Sequence, residues 1–308
     1  MQNSFIPSTN SKGSAIIISL IISVVAMLIA SFIILASKNL IASSDLLFDK
    51  LKAKFGAESL LEKIKFYVST GEFKKFYIEN PVVKTLPKNV FLDGRKQKVD
   101  KNTIIVIKDA GSMLNIWAIN PKILYNLVTI FRENKQKASI IEDSLMDWID
   151  SDDLVRLNGA EREYYMGRGY RYSPRNSPNL QSIFELSLIR GMDSKTFSLL
   201  KNYLVLSPKW LINLNTVDEK MLEAILGISP SLAKSLIKIR EEKGGLTLDD
   251  IEKTTGITLD PSYYETFPTF TLDIKLTFRF NKAVERKGCV ISFYPDNSSP
   301  YRVLRWEN

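Results

Sequence analysis

The sequence predicts an α+β protein. A long N-terminal transmembrane helix leads into an α/β body with an antiparallel sheet, and a large all-α domain with a helix-hairpin-helix-like unit interrupts that body. Three observations predict it. An uncharged run of 22 residues, Ala15 to Ala36, follows Lys12-Gly13. Two β-patterned blocks lie at about 66–106 and 270–306. Between them, about 120–264 reads almost entirely helical.

The apolar run justifies the first element. At about 1.5 Å per residue it makes a helix of about 33 Å, enough to cross a hydrocarbon core of about 30 Å. Its only polar residues are Ser19, Ser23 and Ser31. Ser19 and Ser23 share a face and can bond back to helix carbonyls. A cleaved secretory signal would have a shorter apolar core and small residues at its end, whereas Lys38-Asn39 follows here. A helical pattern then continues through Leu40, Leu47, Leu51, Phe55, Leu61 and Ile64 to about Lys65, with Gly56 as a candidate kink or end.

In the first β block the strand candidates are Phe73–Ile78 and Thr103–Ile107, with a turn at Asp93-Gly94. In the second they are Phe270–Phe280, Gly288–Tyr294 and Tyr301–Trp306. The helical region between them contains an internal echo. Met113–Leu124 aligns with Leu211–Leu222 at a constant offset of 98, matching Asn115, Lys122 and Leu124 to Asn213, Lys220 and Leu222. Asn120 and Pro121 suit the cap and first turn of the first copy's helix, and Thr216 or Asp218 the cap of the second. Two related units on one plan are the simplest account.

Composition narrows the function. There is no histidine, which excludes zinc–histidine sites, serine–histidine triads and histidine bases. No nucleophile–base pair is legible, and no enzymatic reaction is implied. One cysteine, Cys289, cannot form an internal disulfide, so packing or metal must hold the fold. The net charge is +8, with lysines dense over 50–101. A solvated basic face is the plain reading, ahead of anionic lipid or nucleic acid.

Two constellations carry candidate chemistry. The first is Asp147-Trp-Ile-Asp150-Ser-Asp152-Asp153, followed by Glu161. Carboxylates this dense repel one another unless solvent or a cation offsets them. Asp150, Asp152, Asp153 and Glu161 could supply several of the six to eight oxygens that calcium takes. The alternative is an acidic surface loop with capping aspartates. Paired carboxylates for glycoside hydrolysis lack a sugar cleft. The second constellation is the hairpin 213–240. Gly227 supplies its turn, Ser229 caps the next helix and Pro230 opens it. DNA-binding hairpins usually carry a second glycine where Ser229 stands, so packing is the better reading.

The leader Lys12-Gly13-Ser14 before an unbroken apolar helix resembles the class III signal of pilins and pseudopilins. That resemblance implies cleavage by a prepilin peptidase between Gly13 and Ser14, and methylation of the new terminus. Most such subunits carry glutamate at the fifth mature position, where this chain has Ile18. Four further segments resemble, in order, those of the K-type minor pseudopilin of type II secretion. They are Asp147-Trp-Ile-Asp-Ser-Asp-Asp153, Asn158-Gly-Ala-Glu-Arg-Glu-Tyr-Tyr165, Glu185-Leu-Ser-Leu-Ile-Arg-Gly-Met-Asp193 and Leu211-Ile-Asn-Leu-Asn-Thr216.

The resemblance implies a pilin-like body divided as follows: leader 1–13, span 14–37, helix and first β block 38–112, inserted α domain 113–266 and C-terminal β block 267–308. It implies calcium (Ca2+) as a possible ligand of the helical domain, although the family often has an acid where this chain has Arg162. It also implies a place at the tip of the pseudopilus. The expected partners are the I- and J-type minor pseudopilins, the major pseudopilin, the prepilin peptidase, the inner-membrane assembly platform, and secreted cargo or the outer-membrane secretin. A single-pass protein of the bacterial inner membrane follows, with its N-terminus cytoplasmic and its body periplasmic. The weaker alternative is a membrane-anchored helix-hairpin-helix DNA receptor of an uptake system.

Overall fold

A computed structural model describes residues 11–206, 211–294 and 299–307. The expected leader lies outside the described residues up to residue 10, whereas Gly13 and Ser14 fall within the bounds of the first helix. That helix, α1, runs from Ser11 to Thr70. It passes Gly56 and ends five residues beyond the expected Lys65. The reason is burial: Leu61, Ile64, Tyr67 and Val68 recur at helical spacing and are shut from solvent, which outweighs the roughly 1 kcal/mol that a mid-helix glycine costs. In the apolar run Ser19 Oγ donates to the Ile16 carbonyl at 2.9 Å and Ser23 Oγ to the Ser19 carbonyl at 2.8 Å.

Five strands follow: β1 (Glu72–Phe73), β2 (Tyr77–Glu79), β3 (Asn89–Phe91), β4 (Gln97–Lys98) and β5 (Thr103–Asp109). Then come β6 (Leu114–Asn115), α2 (Pro121–Arg132), α3 (Lys135–Ile149), α4 (Arg162–Gly167), α5 (Ser194–Leu200) and β7 (Leu204–Val205). The helical region closes with β8 (Ile212–Asn213), α6 (Glu219–Leu226), α7 (Pro230–Lys243), α8 (Leu248–Thr255) and β9 (Tyr264–Glu265). Last are β10 (Thr271–Phe280), β11 (Ala283–Ser292) and β12 (Arg302–Glu307). The order β12-β11-β10-β5-β4 makes a five-stranded sheet whose central pair, β5 and β10, is antiparallel with Ile107 opposite Ile274. β1, β2 and β3 form a separate antiparallel sheet.

The sheet therefore pairs a strand from before the helical region with strands from after it. The chain divides into two compact units, Met1–Gly56 with Arg279–Glu285, and Ala57–Phe278 with Arg286–Asn308. Within the first, Asn281 Nδ2 donates to Asp49 Oδ1 at 3.0 Å. The second holds two main cores. One combines Ile64 and Tyr67 of α1 with Ile105, Ile107, Ile274 and Ile291 of the sheet. The other is made by the helices, around Leu127, Leu145, Trp148, Leu222 and Leu236.

Three expectations need correction. Phe73–Ile78 is not one strand but the tight hairpin of β1 and β2, with Phe73 paired to Ile78 and Lys74 N–H donating to the Tyr77 carbonyl at 2.8 Å. β11 starts at Ala283, five residues before the expected Gly288, because its first half (Val284, Glu285, Arg286, Lys287) alternates without an apolar stripe. The helical region also contains two short parallel ladders, β6 with β7 and β8 with β9. Strands of two residues are too short to show a period.

The internal echo is structural. Each copy is a short strand, a turn and a capped helix. Asn115 Oδ1 accepts from Trp117 N–H at 3.1 Å, and Asn213 Oδ1 from Asn215 N–H at 2.9 Å. Asn120 caps α2 and Asp218 caps α6. Asn126 Nδ2 on α2 donates to the Ala224 carbonyl of α6 at 2.7 Å, tying the copies together.

Candidate functional site

The acidic constellation sits where α3 ends. Asn134 caps the start of α3, accepting from Lys137 N–H at 2.9 Å. The last turn points Asp147 and Trp148 inward, both nearly without solvent exposure. Trp148 Nε1 donates to Glu185 Oε1 at 2.9 Å. Asp150 leaves the helix as its extended C-cap. Beyond it, Asp152 and Asp153 face solvent, and Asp152 Oδ1 accepts from Leu154 N–H at 2.9 Å.

The chain then returns over the two inner aspartates. Arg156 Nη1 donates to Asp147 Oδ1 at 2.8 Å and also to Asp150 Oδ2. These two carboxylates hold the Arg156 pKa above its ordinary value. Gly159 is required next, because a Cβ there would lie 1.8 Å from Asp147 Oδ2. Two residues on stands Glu161, at the first cap of α4 but with no side-chain cap bond. It is 3% exposed, and neither of its carboxylate oxygens has a hydrogen-bond partner; Asp150 Oδ1 is likewise buried and unpartnered. Burial, and then the charges of Asp147, Asp150 and Asp153, push the Glu161 pKa up to about 7.

Of the four expected ligands, the fold thus buries Glu161, half-buries Asp150 and leaves Asp152 and Asp153 on the surface. Among the described residues no three or more Asp, Glu or Cys side chains are gathered into a closed metal cage. The donor chemistry nevertheless fits a hard cation. It consists of oxygen atoms only, and three buried ones lack a partner. Asp147 and Arg156 are the participants that the expected ligand set leaves out. Their signal was the helical spacing of Asp147 and Asp150, which puts both at the end of one face of α3, and a lone cation six residues later.

The three quoted segments around this loop support one another. Glu185 accepts from Trp148 and from Gln181 N–H, the latter at 2.8 Å. Tyr165 Oη accepts from Arg190 N–H at 3.0 Å, while Arg190 Nη1 reaches the Gly159 carbonyl at 2.6 Å. Asp193 caps α5, and Lys137 holds its pKa well below the usual carboxylate range.

The fourth segment, 211–216, ties the helices to the sheet. Asp109, at the end of β5, is fully buried and accepts five contacts. They come from Asn213 Nδ2 (3.0 Å), Thr216 Oγ1 (2.9 Å), Thr269 N–H (3.0 Å), Thr269 Oγ1 (2.5 Å) and Gly111 N–H (3.3 Å). Thr216 is therefore a tether, and Asp218 is the cap. Arg240 of α7, 1% exposed, donates to the Asn215 and Val217 carbonyls and to Asp93 Oδ2 at 3.1 Å. In the hairpin, Gly227 takes a left-handed φ of 63°, and Ser229 and Pro230 start α7 as expected. Its buried residues Ala233, Leu236 and Arg240 face the protein, so this basic side chain is spent internally rather than offered to a phosphate.

Comparison with known proteins agrees with this architecture. The family model described as type II secretion system (T2SS), protein K matches residues 115–209. The chain is 27% identical over 257 residues to type II secretion system protein K of Klebsiella pneumoniae, covering 76% of each chain. It is 29% identical over 136 residues to the protein of the same description from Dickeya chrysanthemi, covering 42% of this chain and 37% of that one. Its fold resembles a chain in the crystal structure of the GspK–GspI–GspJ complex of the enterotoxigenic Escherichia coli type 2 secretion system. The TM-score is 0.51 at 18% identity, over 86% of this chain and 97% of that one.

An apolar helix of membrane-spanning length, an antiparallel sheet and an inserted helical domain give the chain a fold similar to that solved chain's. In sequence the chain is similar to type II secretion system protein K, over residues 115–209 for the family model and over 76% of its length for the Klebsiella pneumoniae protein.

Proposed function

We propose that this chain is a non-catalytic subunit that caps the tip of the secretion pseudopilus and primes its assembly for protein export across the outer membrane. The observation that carries the reading is Ile18. A carboxylate in an apolar helix bundle is costly unless a neighbouring cation pairs with it. A subunit with nothing stacked beyond it gains nothing from one, and this chain has isoleucine at the fifth position after Gly13. The solved relative of the same fold was crystallised with GspI and GspJ, which supports I- and J-type minor pseudopilins as partners.

In this reading a prepilin peptidase cuts between Gly13 and Ser14 and the new terminus is methylated. The N-terminus starts in the cytoplasm, and the body stands in the periplasm, anchored in the inner membrane. The major pseudopilin and the assembly platform then take up the anchored helix, and the helical domain faces cargo or the secretin. Mass spectrometry of the mature protein should find a methylated Ser14 terminus; an intact leader would overturn the reading. Ile18→Glu should disturb tip placement, and a variant that simply joined the interior of a normal fibre would count equally against it.

The acidic loop takes Ca2+ in this account, through Asp150 and Glu161, with Asp147 and the surface acids Asp152 and Asp153 within reach of a rearranged loop. The bare oxygens of Glu161 support it. Bound calcium would supply the positive charge that Glu161 lacks.

A further inference from the structure

We propose that Arg156 is the resident counter-ion of the acidic loop and competes with the divalent cation, so that the loop alternates between an arginine-closed and a cation-loaded form. The inference rests on the calcium reading above and adds its regulation. Asp147 has no solvent exposure, so its charge requires a cation whether or not metal is present. Arg156 meets that need by bridging Asp147 and Asp150.

The same bridge leaves Glu161 unserved, since neither of its oxygens has a partner. A dication drawing Asp150 and Glu161 onto one centre would stand beside a guanidinium already holding Asp150. Like charges at that separation repel. The Arg156 side chain is 36% exposed and has a path to water, whereas Asp147, under Gly159, has none. Arg156 is therefore the member that moves. It keeps the loop folded without metal and raises the concentration of cation needed to load it.

The test uses the full chain in detergent, with calcium chloride as the probe and EGTA as the cation-free reference. Calorimetric titration gives affinity, and thermal unfolding gives stability. Arg156→Gln should bind calcium about tenfold more tightly than the native chain while melting at a lower temperature in EGTA. A residue that merely braced the loop would lower both together. Arg156→Lys, which keeps the charge but loses the fork, should fall between the two in affinity. If Arg156→Gln unfolds in EGTA, calcium should restore its fold; failure to do so while the native chain binds calcium overturns the proposal. Equal or weaker binding by a folded Arg156→Gln also overturns it and leaves the calcium reading standing. No binding by either protein overturns the calcium reading itself.

Discussion

Asp109 and Glu161 are both carboxylates shut away from solvent, and their surroundings are opposite. Asp109 receives five hydrogen bonds from side-chain and backbone donors. Burial pushes its pKa up, and the donors from Thr269, Asn213 and Thr216 pull it back. Glu161 receives none and lies in the field of three aspartates. A buried charge ringed by neutral donors acts as a joint, because each donor loses its partner if the elements separate. A buried charge ringed by other acids has no such partner and calls for a cation. The first kind fixes helices to sheet; the second is where the proposed cation would act.

The sharpest way to break this comparison is Asp109→Ala. It strands the Asn213, Thr216 and Thr269 donors in the interior, and should cost about 3–5 kcal/mol, read as a lower urea midpoint of the full chain in detergent. A loss below about 1 kcal/mol would show that Asp109 is no joint. Next is the cation. At a hundred times its dissociation constant, calcium should stabilise the native chain by about 2.7 kcal/mol, and Glu161→Gln should remove most of that gain. If the Gln variant gained as much as the native chain, Glu161 would not be the side chain awaiting charge.

Gly159→Ala tests the close approach that presses the loop onto Asp147. Its methyl group would overlap a carboxylate oxygen, and the expected loss is about 1–3 kcal/mol. The smallest effect serves as a control on a carboxylate bonded to neither Asp109 nor Glu161. Asp250 closes a capping box with Thr247 at the start of α8. Lys243 first, and then the Thr247 hydroxyl, hold its pKa down to about 2. Because the folded value is depressed, its contribution is present above about pH 4 and is lost as pH falls through about 2. Asp250→Ala should cost about 1 kcal/mol at neutral pH and much less near pH 2, measured by thermal unfolding at both values.

Much of this was legible in advance, residue by residue. The apolar run set the first part of α1, because 22 uncharged positions form an apolar helix long enough to span a membrane. Period-two alternation set β10, and the constant offset between Asn115 and Asn213 gave the paired units, because local capping and turn chemistry repeat with the residues that make them. The acidic loop was legible as a charged cluster and a candidate ligand set, but not in which of its side chains would be shut from water. Asp152 and Asp153 read no differently in sequence from Asp150 and Glu161, yet the first two face water, Asp150 is half-buried and Glu161 is buried.

The sequence by itself determined the long apolar helix, the α+β class, the order of blocks and the likeness to type II secretion system protein K, since each depends on short-range pattern or on segments read in order. Only the tertiary structure decided that Asp109 gathers Asn213, Thr216 and Thr269, that Arg240 is spent on Asp93, and that Arg156 occupies the carboxylates next to a bare Glu161. These partners are brought together by the packing of α3, α7 and the sheet. Whether a buried charge is satisfied depends on which groups packing places within hydrogen-bond reach, a distance that no spacing along the chain encodes.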